Sequence, residues 1–279
     1  MNLKANHSAG PIGVFDSGYG GLTILRSIRQ HLPEYDYMYL GDNARAPYGS
    51  RSFEVIYRFT LEAVRYLFDS GCNLVILACN TASAKALRTI QQNDLEKIDP
   101  TRRVLGVIRP TVEALGEASA RGVVGILGTP GTISSRSYDM EIAKLYPSFK
   151  TFGQPCPMWV PIVENHEAQS DGADYFVNKY IDSLFSRSAD IDTVVLACTH
   201  YPILLPKIAR AIGSRAKILS QGDIVADSLA DYLRRHPEMD RRCSKGGDCR
   251  YLTTENPAKF ADLARVFLQQ PVDVSHIDL

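Results

Sequence analysis

Two cysteines in this sequence stand in nearly identical settings. Asn73-Leu-Val-Ile-Leu-Ala-Cys79-Asn80-Thr81 and Asp192-Thr-Val-Val-Leu-Ala-Cys198-Thr199-His200 are β-branched and leucine-rich runs that end on a thiol, with small polar residues straight after. Such a pair admits three chemistries: a redox couple, a metal site, or two acid–base groups on opposite faces of one substrate. Neither cysteine sits in Cys-x-x-Cys, which argues against a thioredoxin-type pair. A metal would want His200 and a further ligand, and would leave the polar loops elsewhere without a task. Acid–base chemistry uses them all. Removing the proton of an α-carbon on one face and returning it on the other inverts the centre. That needs one deprotonated and one protonated thiol, with roles that exchange with direction.

The elements that must position these thiols follow from the same runs. A continuous apolar stretch bounded by polar residues reads as a buried parallel strand. In open α/β sheets, ligands bind beyond the carboxyl ends of such strands. Two matched strand ends therefore predict one site built from two halves. A helix beginning at Thr81 would put Cys79 at a helix N-terminus, where a lowered thiol pKa is expected.

The flanking pattern is also doubled. A strand over residues 11–15, the turn Asp16-Ser17-Gly18-Tyr19-Gly20-Gly21 and a helix over 22–31 recur as a strand over 122–127, the turn Gly128-Thr129-Pro130-Gly131 and a helix from about Arg136. Such turns expose helix N-terminal N–H groups to an anion. Gly18-Tyr-Gly-Gly is not Gly-x-Gly-x-x-Gly, and no Gly-Lys-Ser/Thr follows it, so a small carboxylate is expected rather than a nucleotide. Ser17, Asn80, Thr81 and Thr199 are the hydroxyl, amide and backbone donors placed to fix it. A strand over 35–40 leads to a polar loop over 41–50, and a helix over 53–70 stops at Gly71. Residues 155–164, which hold the only Trp, carry three prolines and are expected to be an ordered loop or sheet edge. Helices over 171–187, 224–235 and 256–269 and strands over 216–219 and 250–254 complete the reading.

At 279 residues the chain suits roughly two domains, with about 150 residues to each. Lys+Arg and Asp+Glu both total 31, so there is no basic footprint for nucleic acid and no polybasic stretch for anionic lipid. The polar stretch Met1–Gly10 does not read as a signal peptide, and no apolar run approaches the length of a membrane span. A cytoplasmic protein with free thiols is expected. Cys72 and Cys156 read as structural or incidental. Cys243 and Cys249 lack two further ligands at metal-site spacing, so no metal is expected.

Four motifs then carry a specific resemblance. Phe15-Asp16-Ser17-Gly18-x-Gly20-Gly21, Gly41-Asp42-x-Ala44-Arg45-x-Pro47-Tyr48-Gly49, Ala78-Cys79-Asn80-Thr81-Ala82 and Cys198-Thr199-His200-Tyr201-Pro202 resemble the glutamate racemase family, in the family's order and from about Ile12 to the C-terminus. Asn43, Gly131 and Ala197 depart from its pattern without removing a needed functional group. The resemblance implies a cofactor-independent racemase that supplies D-glutamate for peptidoglycan, an α/β fold of two similar domains with mainly parallel sheets, and a site in the cleft between them. It implies Cys79 and Cys198 as proton donors and acceptors, Asp16 and His200 as their respective assistants, and Glu164 near the second thiol. Asp16, Ser17, Tyr48, Gly49, Asn80, Thr81, Thr199 and His200 would line the glutamate pocket. Residues 11–107 plus 220–279 would form one domain and 108–219 the other, in a homodimer. Two alternatives remain: a related racemase acting on aspartate, and a non-catalytic amino-acid-binding protein, which would need neither thiol.

Overall fold

The computed structural model of the chain describes residues 8–279, so most of the polar stretch Met1–Gly10 lies outside the described residues. Two sheets organise the fold. The first runs in the order β10-β9-β2-β1-β3-β4, from β1 (Ile12–Asp16), β2 (Tyr37–Gly41), β3 (Leu74–Leu77), β4 (Arg103–Gly106), β9 (Cys249–Thr253) and β10 (Val274–His276). The second runs β6-β5-β7-β8, from β5 (Val123–Gly128), β6 (Lys150–Pro155), β7 (Thr193–Ala197) and β8 (Lys217–Leu219). Every strand pair in both sheets is parallel. The continuous apolar runs of β1, β3, β5 and β7 are buried at every residue, as strands covered by helices on both faces must be.

The two halves have one topology. In the first, β1 lies between β2 and β3 with β4 outside β3; in the second, β5 lies between β6 and β7 with β8 outside β7. Strand order therefore reverses between β1 and β3 and again between β5 and β7, and such reversals open crevices at the strands' carboxyl ends. Phe15 pairs with Leu77, and Gly128 with Ala197. Cys79 and Cys198 thus leave their sheets at equivalent switch points.

Local chemistry explains the helix limits. Ser52 accepts from the Val55 N–H at the start of the helix Phe53–Asp69. Gly71 ends that run with φ +98°, a conformation that glycine adopts without Cβ strain. The expectation for residues 155–164 is met only in part. Pro155 ends β6, an edge strand, but Trp159–Glu164 is a short helix. Pro161 falls in its first turn, where a helix needs no N–H, so the proline is tolerated. β6 itself and β10 were not expected from the sequence.

One apolar core runs between helices of both sheets, joining Leu22, Ile24 and Phe260 to Trp159, Ile181 and Ile208. Trp159 is fully buried, edge-on to Tyr201 with ring centroids 4.7 Å apart. Trp159→Ala should cost about 3–5 kcal/mol of stability by leaving a cavity, seen as an earlier thermal unfolding transition; an unchanged melting temperature would mean this packing contributes nothing.

Candidate active site

A cleft of about 500 Å³ lies where the carboxyl ends of the two sheets meet, and both Cys79 and Cys198 line it. The expected residues Ser17, Tyr48, Gly49, Asn80, Thr81, Glu164, Thr199 and His200 line it as well. Asp16 does not. It is buried behind the lining, where its Oδ2 accepts from the Gly18 N–H at 2.9 Å and its Oδ1 from the Thr199 hydroxyl at 3.5 Å. Asp16 therefore shapes the first turn, and Gly21 rather than Asp16 occupies the cap position of the following helix. Among the described residues, no group of three or more His, Cys, Asp or Glu side chains is placed to hold a metal ion.

The first glycine-rich turn has a steric purpose. A Cβ on Gly20 would lie 2.2 Å from Thr199 Oγ1 and 2.4 Å from His200 Nδ1. Only glycine lets the loop after β7 seat on this turn. Thr23 completes the contact by donating to the Thr199 carbonyl at 3.1 Å. On the opposite rim, Gly131 donates its N–H to the Gly49 carbonyl at 2.7 Å, a close approach with no room for a Cβ. Tyr48 is anchored through its hydroxyl to Asp42, which also accepts from Arg45 and Thr254.

The two thiols have different surroundings. Cys79 Sγ lies 3.4 Å from the Ser17 hydroxyl and accepts from the Ala82 N–H at 3.4 Å, capping the helix Asn80–Lys85. The expectation of a lowered pKa at this helix N-terminus is overturned. Burial, reinforced by the charge of Asp16, pushes the Cys79 thiol up to about 12 against the lowering by Ser17 and Ala82. Raising the pKa from 9.0 to that value corresponds to on the order of 4 kcal/mol against the thiolate. A helix N-terminus returns only about 0.3–2 kcal/mol, so desolvation wins.

Cys198 Sγ faces His200 Nδ1 at 4.0 Å, and His200 Nε2 pairs with Glu164 Oε1 at 2.8 Å. Burial alone would push the His200 imidazolium down, but its hydrogen bonds with Cys198 and Glu164 outweigh that and raise it to about 10. Its position between Cys198 and the Glu164 carboxylate therefore favours the imidazolium form. Asp16, fully buried, is also raised, chiefly by desolvation and against the charge of His200.

Several lining residues escaped the sequence reading. Thr129 joins Thr81 and Thr132 in a hydroxyl cluster with separations of 3.0 to 3.2 Å. It follows β5 as Ser17 follows β1, so the internal repeat held the signal for it. Cys156, read as incidental, lines the cleft, with a thiol that burial raises well above its usual range. Asn165, Glu255 and Lys259 also line it, and the last two come from a C-terminal segment whose return to this cleft no local pattern encodes.

The raised Cys79 thiol has a measurable consequence. In ligand-free protein, peptide-resolved alkylation of Cys79 should keep rising about tenfold per pH unit through pH 11, since a thiol raised to about 12 is still mostly protonated there; a rate that levels off by about pH 10 to 11 would contradict the burial effect.

Comparison with known proteins agrees with this architecture. Residues 21–228 match the Asp/Glu/Hydantoin racemase family. The glutamate racemase of Roseobacter denitrificans is 39% identical over 274 residues, covering 95% of this chain and 98% of that protein. The crystal structure of a glutamate racemase isoform from Bacillus anthracis superposes with a TM-score of 0.89 at 31% identity, over 98% of this chain and 99% of that one. The glutamate racemase of Francisella tularensis in complex with D-glutamate gives 0.84 at 30% identity over 97% of each chain. With paired parallel sheets, a cleft at their facing strand ends and likeness along nearly its whole length, this chain belongs to the Asp/Glu/hydantoin racemase family.

Proposed function

We propose that this chain is a glutamate racemase that interconverts L- and D-glutamate by moving the α-proton between Cys79 and Cys198. The observation that carries this reading is the convergence of two thiols, from equivalent switch points of two sheets, on one cleft furnished with hydroxyl, amide and imidazolium donors. The Roseobacter denitrificans relative is a glutamate racemase, and the Francisella tularensis one is solved with D-glutamate bound, which supports glutamate as the substrate.

The chemistry follows from the side chains. Ser17, Asn80, Thr81 and Thr199 supply neutral donors for the substrate's α-carboxylate, and that carboxylate delocalises the negative charge that builds as the α-proton leaves. One sulfur, as thiolate, takes the proton from one face, and the S–H of the other delivers its own proton to the opposite face. The centre is inverted, and the two sulfurs have exchanged protonation states. The reverse reaction uses the same groups in opposite roles, so no external oxidant or acid is consumed.

His200 supplies positive charge and a mobile proton beside Cys198, with Glu164 holding its ring. Asp16 acts through its neighbours, by ordering the Ser17 turn and bearing on the charge state of Cys79. Burial serves the reaction as well. A thiolate without water solvation is a stronger base toward a weakly acidic α-carbon, and the closed cleft keeps a labile carbanion from bulk protons.

The family resemblance extends the proposal to D-glutamate supply for peptidoglycan, a cytoplasmic location and a homodimer. No described helix is long and apolar enough to cross a membrane. The domain division at 11–107 plus 220–279 and 108–219 is proposed with it, supported by the grouping of β1–β4, β9 and β10 in one sheet and β5–β8 in the other.

Purified protein without added cofactor should racemise glutamate and exchange its α-hydrogen with deuterated water. Cys79→Ser and Cys198→Ser should each lower kcat by about 100-fold or more, the scale of a lost acid–base group, with substrate binding retained. Racemisation that survives either substitution would overturn the two-thiol assignment, and turnover of aspartate alone would change the substrate.

A further inference from the structure

Beneath the cleft lies a buried ring of hydrogen bonds that the proton transfer itself does not use. The Tyr138 hydroxyl donates to Asn80 Oδ1 at 2.7 Å, Asn80 Nδ2 donates to Gln221 Oε1 at 2.6 Å, and Gln221 Nε2 donates to the Tyr138 oxygen at 2.9 Å. A fourth bond leaves the ring, from Gln221 Nε2 to Thr111 Oγ1 at 2.8 Å. Asn80, Thr111, Tyr138 and Gln221 are all at most 3% exposed. The ring also spans the molecule: Asn80 follows β3 of the first sheet, Gln221 opens the helix after β8, and Tyr138 lies on the helix after the second glycine-rich turn.

The ring has a fixed sense, and Thr111 sets it. The Thr111 hydroxyl donates its proton to the Val107 carbonyl at 2.6 Å, so toward Gln221 its oxygen can only accept. That requires the Gln221 amide to present Nε2 to Thr111 and Oε1 to Asn80. Asn80 must then present Nδ2 to Gln221 and Oδ1 to Tyr138. Reversing either amide would set two acceptors against each other in a buried site, which costs about 1–3 kcal/mol. The ring turns Asn80 Oδ1 toward Tyr138 and uses one Nδ2 proton, so the second Nδ2 proton is the donor that Asn80, a residue of the cleft lining, has left to offer.

We propose that Thr111, Tyr138 and Gln221 are positioning residues that lock the Asn80 carboxamide so that it offers the cleft a donor and not an acceptor. This rests on the reading of the cleft as a glutamate site. An anionic carboxylate is attracted by that N–H and repelled by a reversed carbonyl. The ring also ties the amide's orientation to the packing of helices from both sheets, although Thr111 itself does not line the cleft.

Thr111→Val keeps the side-chain shape and removes the group that sets the sense of the ring. Thr111→Val should raise KM for glutamate about 10-fold, the scale of one mismatched buried hydrogen bond, with kcat changed about 2-fold or less, whereas Tyr138→Phe leaves Thr111 and Gln221 holding Asn80 Nδ2 and should raise KM about 3-fold or less. The double variant should be little worse than Thr111→Val alone, because loss of the Thr111 acceptor already frees the amide. Thr111→Ser restores the hydroxyl and should return KM to the wild-type value. Ser83→Ala, which removes a buried hydrogen bond on the same helix as Asn80 but outside the ring, should leave KM unchanged. A wild-type KM in Thr111→Val, failure of Thr111→Ser to restore it, or an equal rise in Ser83→Ala would each overturn the proposal. Asparagine-labelled protein tests the ring without turnover. The ring-bound Asn80 Nδ2 proton should be protected from hydrogen exchange in wild type and Thr111→Ser and exposed in Thr111→Val, and an unprotected wild-type proton would overturn the ring. If that amide is protected but glutamate is not racemised, the substrate reading falls and the ring stands.

Discussion

The cleft depends on one steric contact, the seating of the loop Thr199–His200 on the bare backbone of Gly20. Two parallel sheets, each with its own switch point, could be joined in many relative orientations. Here a turn after β1 and a loop after β7 approach so closely that neither tolerates a methyl group between them. The carbonyl of Thr199 then receives the Thr23 hydroxyl, and the hydroxyl of Thr199 reaches Asp16. This contact brings Cys198 and His200 to the same enclosure as Ser17 and Cys79. The glycines of the first turn thus serve backbone approach.

Enclosure has an electrostatic cost, and the site meets it unequally in its two halves. Around Cys79 the compensation is small: a hydroxyl, one backbone N–H and a helix end, against full burial and a neighbouring carboxylate. The resting thiol keeps its proton. Around Cys198 the imidazole of His200 is buried instead, and its hydrogen bonds with Glu164 and the sulfur favour the protonated form against that burial. Two similar strand ends have therefore become chemically distinct through the side chains that other loops bring to them. Such a pairing of environments suits a reaction that needs one group to give a proton while its counterpart accepts.

Polar groups below the cleft are joined in hydrogen-bonded networks. The Asn80–Gln221–Tyr138 ring leaves no donor or acceptor of its members opposed, whereas the Asp42–Arg45–Tyr48–Thr254 group beneath the opposite wall is paired except at the buried Nη2 of Arg45. In a low-dielectric interior, fully paired networks are rigid and half-paired ones are costly. Precision at the cleft surface is in this way drawn from residues that never reach it.

Much of this was legible in the chain itself. Period and composition identified β1, β3, β5 and β7, because strands buried on both faces must be continuously apolar, and the repeated Leu-Ala-Cys ending marked both thiols. The class of fold and the doubled plan followed from these local patterns, as did Ser17, Asn80, Thr81 and Thr199 in the cleft lining, while Tyr48, Gly49, Glu164 and His200 came with the family resemblance. The helix at Trp159–Glu164 did not, since proline reads as a breaker until its place in a first turn is known. Nor did the high pKa of Cys79: a helix N-terminus can be recognised in sequence, whereas burial depends on everything that folds over it. The placement of Asp16 behind the lining, the return of Glu255 and Lys259 to the cleft and the ring through Thr111 and Gln221 all join residues far apart in the chain. Sequence alone determined which groups could do chemistry, because that resides in residue type and local spacing. Tertiary structure decided their charge states and orientations, because desolvation and hydrogen-bond partners are properties of the assembled interior.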